Sequence, residues 1–236
     1  MLIGFPTSLY GNGTPFSPAQ IPGLQLWLDG ADAATITQSA GAVSQWTDKS
    51  GNAYAAAQAT GGARPSYSAT GLNGLGALTF DGTSGFLSIS GFNVPTTFTA
   101  FLALDVLSTP QASFSAFLDA GFSTQFLLGF DSGGTKITAT VNNVFATSAP
   151  AFTTGGAHQA LFSTDGTAGV TAFDSISSSY TSSAAAGGSV TANIGVFNGA
   201  NYINATVGEM LLYGGTVAPA YISTIQAYLR KKWGTP

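Results

Sequence analysis

An all-β sandwich closed by a single C-terminal helix is predicted by three features of this sequence. Apolar residues recur at period two in many short runs, clusters of Gly, Asn, Asp and Ser punctuate those runs, and one segment switches to helical spacing. A length of 236 residues suits one large β domain with a buried core. The 31 glycines follow no collagen-like period and fit the many tight turns such a fold needs.

Residues 1–20 place Pro6, Pro15 and Pro18 among Gly, Ser and Thr without periodicity, and read as an extended arm ahead of a domain spanning 21–236. The first strand signal is "LQLWLDG", where Leu24, Leu26 and Leu28 alternate with Gln25, Trp27 and Asp29. In "TFTAFLALDV", Phe98, Ala100, Leu102, Leu104 and Val106 share one face, and the same period runs through "ASFSAFLDA", "QFLLGF", "KITATV", "HQALFST" and "GVTAFD". Residues 174–191 are rich in small side chains and read equally as a loop or a thin pair of strands. The helix lies in "APAYISTIQAYLRKKWG". There Pro219 suits the first helical position, Ile222, Ile225 and Leu229 recur on one face, and Gly234 stands at a C-terminal stop. Arg230, Lys231 and Lys232 fall in its last turn, where positive charge opposes the negative end of the helix dipole.

Charged residues make up only 7 % of the chain, so Ser, Thr, Asn, Gln and exposed backbone must supply its polarity. Six Lys and Arg stand against ten Asp and Glu, and three of the six are packed into "LRKKWG". That leaves no basic stripe for a phosphate backbone and argues against a nucleic-acid partner. The absence of cysteine excludes disulfides, a thiolate nucleophile and a Cys-type zinc site. No apolar run is long enough to predict a membrane span. The first residues carry neither the cations nor the apolar stretch of an export signal, and the expected location is a virion or an extracellular surface reached by lysis. Uncharged strand edges predict a homo-oligomer.

Four segments in order, "IPGLQLWLDGADAATI", "GAVSQWTDKSGN" followed by "ARPSY", "LTFDGTSGFLSI", and "VGEMLLYGG" leading into "IQAYLRKKWG", resemble the concanavalin A-like lectin/glucanase superfamily. The likeness is to its laminin-G-like and pentraxin-like members, as found in phage structural and bacterial surface proteins, and it frames residues 21–234. It implies a two-sheet antiparallel jelly-roll, and it leaves the ligand open because this fold hosts lectins, hydrolases, lyases and adhesion modules. Retaining glucanases of the fold need two carboxylates about 5 Å apart. This chain has one glutamate, Glu209, with no acid beside it, which reads as a structural group paired with a C-terminal cation. Its one histidine, His158, stands at the start of a strand without the Arg-rich cluster of the related lyases, and no Ser occupies a nucleophile elbow. The expectation is a non-enzymatic, lectin-like adhesion or decoration module on a phage or phage-like particle. It would bind cell-surface glycans and meet other virion proteins through residues 1–20. The alternative is a purely structural capsid decoration, spike or fibre protein.

Sugar rings stack on aromatic faces and sugar hydroxyls bond amides and carboxylates. Trp46, Tyr54, Tyr67, Tyr180, Asn198, Asn201 and Tyr202 lie in or beside expected loops and are the candidate glycan contacts. The segment "WTDKSGN" supports two readings. Asp48 and Ser50 can close an Asx-type turn over Gly51 and Asn52, while Asp48, Asn52 and Asp81 can offer oxygens to calcium, which some members of the resembled superfamily bind near such rims. No cofactor is required by this chemistry.

Overall fold

The strand Phe98–Val106 shows how alternation builds the domain. Phe98, Ala100, Leu102, Leu104 and Val106 enter the main core, while Phe101 and Ala103 enter a second apolar cluster on the opposite face. Buried on both faces, this strand takes a central place in a computed structural model that describes residues 15–121, 126–142, 144–146 and 150–236. Most of the expected N-terminal arm, residues 1–14, lies outside the described residues. Its described end packs on the domain, with Phe16 edge-on to Tyr228 and the Tyr213 hydroxyl donating to the Pro18 carbonyl.

Phe98–Val106 pairs with His158–Thr164 on one side and with Asn204–Gly214 on the other. Ala168–Phe173 and then Ile176–Thr181 extend the first side. On the second side, Leu75–Asp81 pairs with the first half of Asn204–Gly214 and Leu24–Asp29 with its second half. Leu75–Asp81 continues to Ser66–Leu72, and the single pair Ala42↔Ser66 carries the ladder to Ala42–Thr47, which Ile36–Ser39 flanks. From there the succession runs through Ala55–Ala57, Leu87–Asn93, Ser189–Ile194, Ala116–Asp119, Phe126–Phe130, Ile137–Val141 and Val144–Phe145.

The described chain is thus all-β with one C-terminal helix, and its main sheet is nearly closed and barrel-like around the core. This corrects the expectation of two separate jelly-roll sheets, because the Ala42↔Ser66 pair makes the ladder continuous. Two local expectations change as well. A register shift between Leu24 and Leu26 turns Leu24 away from Leu26 and Leu28, so it packs in the outer cluster. Residues 174–191 hold two strands, Ile176–Thr181 and Ser189–Ile194, which pair with different neighbours rather than with each other.

The helix Pro219–Trp233 begins on Pro219 and ends at Gly234, whose φ of 70° fits a left-handed cap and whose N–H donates to the Arg230 carbonyl. It buries Ile225, Leu229 and Trp233 against Trp27, Phe101, Leu211 and Tyr213 on the outside of the sheet. Beneath it Glu209, with no exposed surface, accepts four hydrogen bonds. Trp27 Nε1 (2.7 Å) and the Tyr228 hydroxyl (2.8 Å) donate to Oε1, and Trp233 Nε1 (2.7 Å) and Lys232 Nζ (2.9 Å) donate to Oε2. Burial pushes the Glu209 carboxyl up, with Lys232 opposing. Because every partner is a donor, and the Tyr228 hydroxyl itself accepts from Lys232, the geometry fits the ionised carboxylate. Lys232 also bonds Asp29, which Lys49 reaches from the other side, and Lys49 closes on Asp32 as well.

Removing one partner of a buried charge network strands the others without water. Glu209→Ala is therefore expected to lower the unfolding free energy by about 3–5 kcal/mol, read from urea denaturation. Arg230→Ala, on the exposed side of the same helix turn, is expected to change it by less than about 0.5 kcal/mol.

Candidate functional site

The expected site residues do not converge. Trp46 is fully buried in the main core, opposite Ile36 and Ala56 in the ladder. Tyr180 is also buried, its hydroxyl donating to the Ser163 carbonyl and pushed up to about 12 by burial. Tyr54 leans on Phe92 and Tyr67 packs against the core edge. Asp48 accepts from Trp27 N–H and Ser50 N–H on Oδ1 and from the Ser50 hydroxyl on Oδ2, so "WTDKSGN" is stitched to the neighbouring strand. The Asn52 amide donates to the Gln25 carbonyl, and Asp81 closes a separate turn. Among the described residues no group of three or more His, Cys, Asp or Glu side chains is placed so that it could hold a metal ion. His158 faces Asp174 at 2.7 Å across Nδ1.

Asn198, Asn201 and Tyr202 share a hairpin with Phe197, and that hairpin leads to a groove the sequence did not indicate. Its strands pair Phe197 with Asn201 and Val196 with Tyr202, which puts Asn201 on the same side as the Phe197 ring. Phe197 stands 6.2 Å from Phe114, and Phe114 stands 5.5 Å from Phe145. Phe114 and Phe145, with Asp131, Ser132, Thr138 and Ala146, line a groove of about 310 Å³. Phe145 leaves 43 % of its surface exposed.

The rings are held by backbone, not by chance packing. Phe114 adopts a φ of 54°, uncommon for a bulky residue, and its N–H donates to the Asp131 carbonyl. Gly134 lets this segment close, since a Cβ there would fall 2.0 Å from the Gln111 carbonyl oxygen. The Gln111 side chain in turn donates to Ser108 and Asn204 carbonyls and accepts from Asn204 N–H. On the hairpin, Asn198 N–H donates to the buried Asp119 carboxylate, whose carboxyl burial pushes up against the opposing N–H groups of Asn198 and Gly121. The expected strand "ASFSAFLDA" consequently starts only at Ala116, with Phe114 turned out of it.

The floor of the groove is polar and under-satisfied. Thr138, 1 % exposed, reaches only the Ala139 carbonyl among the described residues, at 3.5 Å. Thr140, two residues along the same face and paired with Phe145 in the ladder, adjoins the groove without lining it; it is 7 % exposed and its hydroxyl has no partner among the described residues. Buried hydroxyls without partners are exceptions that call for a water or a ligand. On the hairpin that carries Phe197, the Asn198 and Asn201 side-chain amides make no hydrogen bond among the described residues. Aromatic residues set in Gly- and Asn-rich segments, "NNVFATSAP" and "GVFNGANY", were the signal available in the sequence.

No family model and no curated protein matches the chain, so the superfamily named from motif order rests on those motifs. Solved structures do match. Domain 4 of AbnA, a GH43 extracellular arabinanase from Geobacillus stearothermophilus, in complex with arabinotriose, aligns over 86 % of this chain and 97 % of its own, with 12 % identity and a TM-score of 0.64. Trypanosoma rangeli sialidase in complex with sialic acid aligns over 94 % of this chain and 36 % of its own, with 17 % identity and a TM-score of 0.61. The binding domain of Paraclostridial Mosquitocidal Protein 1 aligns over 92 % and 56 %, with 8 % identity and a TM-score of 0.64. The chain spans about a third of the sialidase it matches. At these identities the likeness shows the fold. It also corrects the expectation of a non-enzymatic chain, since this fold occurs within glycosidases.

Asp81 provides a pH test of the turn chemistry. Burial pushes its carboxyl up, but N–H groups of Gly85, Ser84 and Thr83 outweigh that and hold it well below the usual range. Its contribution is complete above the unfolded carboxylate value, about 3.9, and is lost as pH falls toward the folded one. The gap in melting temperature between wild type and Asp81→Ala is expected to narrow from about pH 5 to about pH 2.

Proposed function

We propose that this chain binds carbohydrate, with sugar rings lying on Phe114 and Phe145 and their hydroxyls meeting Thr138, Thr140, Asp131 and the Asn198–Asn201 hairpin. The observation that carries this reading is the juxtaposition, in one groove, of two aromatic rings, Phe145 exposed and Phe114 half-buried, with the buried and weakly bonded Thr138 hydroxyl, next to Thr140, whose hydroxyl has no partner among the described residues. A sugar offers the complement of both: a C–H face for the rings, and hydroxyls that donate and accept for the floor. Domain 4 of the arabinanase, in complex with arabinotriose, supports it by shared fold.

The finer proposal, that the module serves adhesion or decoration on a phage or phage-like particle through residues 1–20, rests on composition alone. Calcium at Asp48, Asn52 and Asp81 is likewise a proposal, and adding a chelator arm to the binding assay tests it.

A glycan array followed by calorimetry on the hits tests the main reading. Phe145→Ala is expected to weaken the best ligand about tenfold, or about 1.4 kcal/mol, without a change in melting temperature. Phe114→Gly removes a ring and accepts the positive φ, so it is expected to lose binding while retaining the fold. Retained affinity in both variants would place any ligand elsewhere.

A further inference from the structure

The groove also carries information about the charge of its ligand. Asp131 holds Thr135 N–H (2.9 Å) and Lys136 N–H (3.1 Å) on Oδ1, while Oδ2 has no partner among the described residues. A carboxylate that lines the groove together with Phe114 is a ready acceptor for a sugar hydroxyl and a repulsive neighbour for a sugar carboxylate.

Binding a carboxylate-bearing sugar would call for an Arg fork or a Lys ammonium close by. The chain has six such cations, and none lines the groove. Lys49 and Lys232 are committed to Asp29, Asp32 and Glu209, and Arg64 donates to the Gln58 and Ala59 carbonyls. Arg230 and Lys231 sit exposed on the helix, which packs on the other cluster. Lys136, exposed and bonded to Asp131 through its backbone N–H, precedes Thr138 by two residues on the same face, but it is not among the residues that line the groove. A formal net charge of −4 adds a weak general repulsion.

We infer that the groove selects neutral oligosaccharides over those bearing uronate or sialate carboxylates, with Asp131 as the specificity-determining residue. This rests on the carbohydrate reading of the groove. The Thr138 and Thr140 hydroxyls fit the same class, since each can donate to or accept from a neutral hydroxyl.

Calorimetric titration of the full chain with arabinotriose, cellotriose and trigalacturonate at low ionic strength tests it. At least one neutral trisaccharide is expected to bind ten times or more tighter than trigalacturonate. Asp131→Asn keeps an oxygen for Thr135 and Lys136 and is expected to shrink that ratio about tenfold, whereas Phe145→Ala weakens every ligand that binds. In the wild type, added salt is expected to narrow the gap by screening the repulsion, a readout that needs no variant. Equal affinity for trigalacturonate, or a preference unmoved by both Asp131→Asn and salt, overturns the inference while leaving carbohydrate binding in place. Binding of no sugar by the wild type overturns the carbohydrate reading and the inference with it.

Discussion

Glu209 is the group on which the arrangement of the molecule depends. A carboxylate closed off from water must find donors for its oxygens within the protein, and Glu209 draws them from segments far apart in sequence: Trp27 on one strand, and Tyr228, Lys232 and Trp233 on the helix. Those contacts fix the helix axially and in rotation, because Tyr228, Lys232 and Trp233 must all face the same point. The strand bearing Glu209 is also the one that Phe98–Val106, Leu24–Asp29 and Leu75–Asp81 pair with. Gly208 completes the fit, since a Cβ there would lie 2.6 Å from the Trp233 ring. Helix docking and sheet register are therefore one constraint.

The domain is consequently asymmetric. One outer face is covered by the helix, while the face formed by Leu127, Gly129, Thr138 and Thr140 is approached by the chain at Ser115. Gly129 brings the chain at Ser115 down onto that face, as a Cβ at 129 would sit 2.2 Å from the Ser115 carbonyl oxygen. With the backbone pressed so close, a residue as large as Phe114 has no room beneath the loop and stands above it, beside Phe145 and Phe197. The groove follows from where the glycines allow close approach. This face keeps the hydroxyls of Thr138 and Thr140 where the helix-covered face carries Trp27, Phe101 and Leu211.

What could be read from the sequence was periodic or terminal. Alternation located Phe98–Val106 and its neighbours, and Pro219 with Gly234 bounded the helix, because those signals act within a few residues of where they are written. The pairing of Glu209 with a C-terminal cation was also legible, since a lone glutamate in an apolar strand needs a partner and the cations are few. Trp46 was misleading because a Trp beside a polar turn looks the same whether its ring points into the core or out of it. The single Ala42↔Ser66 pair and the left-handed Phe114 depend on contacts remote in sequence, and no local pattern encodes them.

The acids make the same point about the site. In a chain with so little charge, Asp48, Asp81, Asp131 and Asp165 all serve turns, each accepting backbone N–H groups on one oxygen. By that chemistry they are equivalent, and sequence alone ranks them by their neighbours in the chain. They differ in what the second oxygen meets. Those of Asp48 and Asp81 accept hydroxyls from Ser50 and Ser84 in their own turns. Asp131 is followed by Ser132 and then glycine, its second oxygen, like that of Asp165, takes no such bond among the described residues, and its side chain lines a groove with rings from two other segments. What sets Asp131 apart is its placement, since folding brings it into one groove with aromatic rings from two other segments, and no feature of its own turn encodes that.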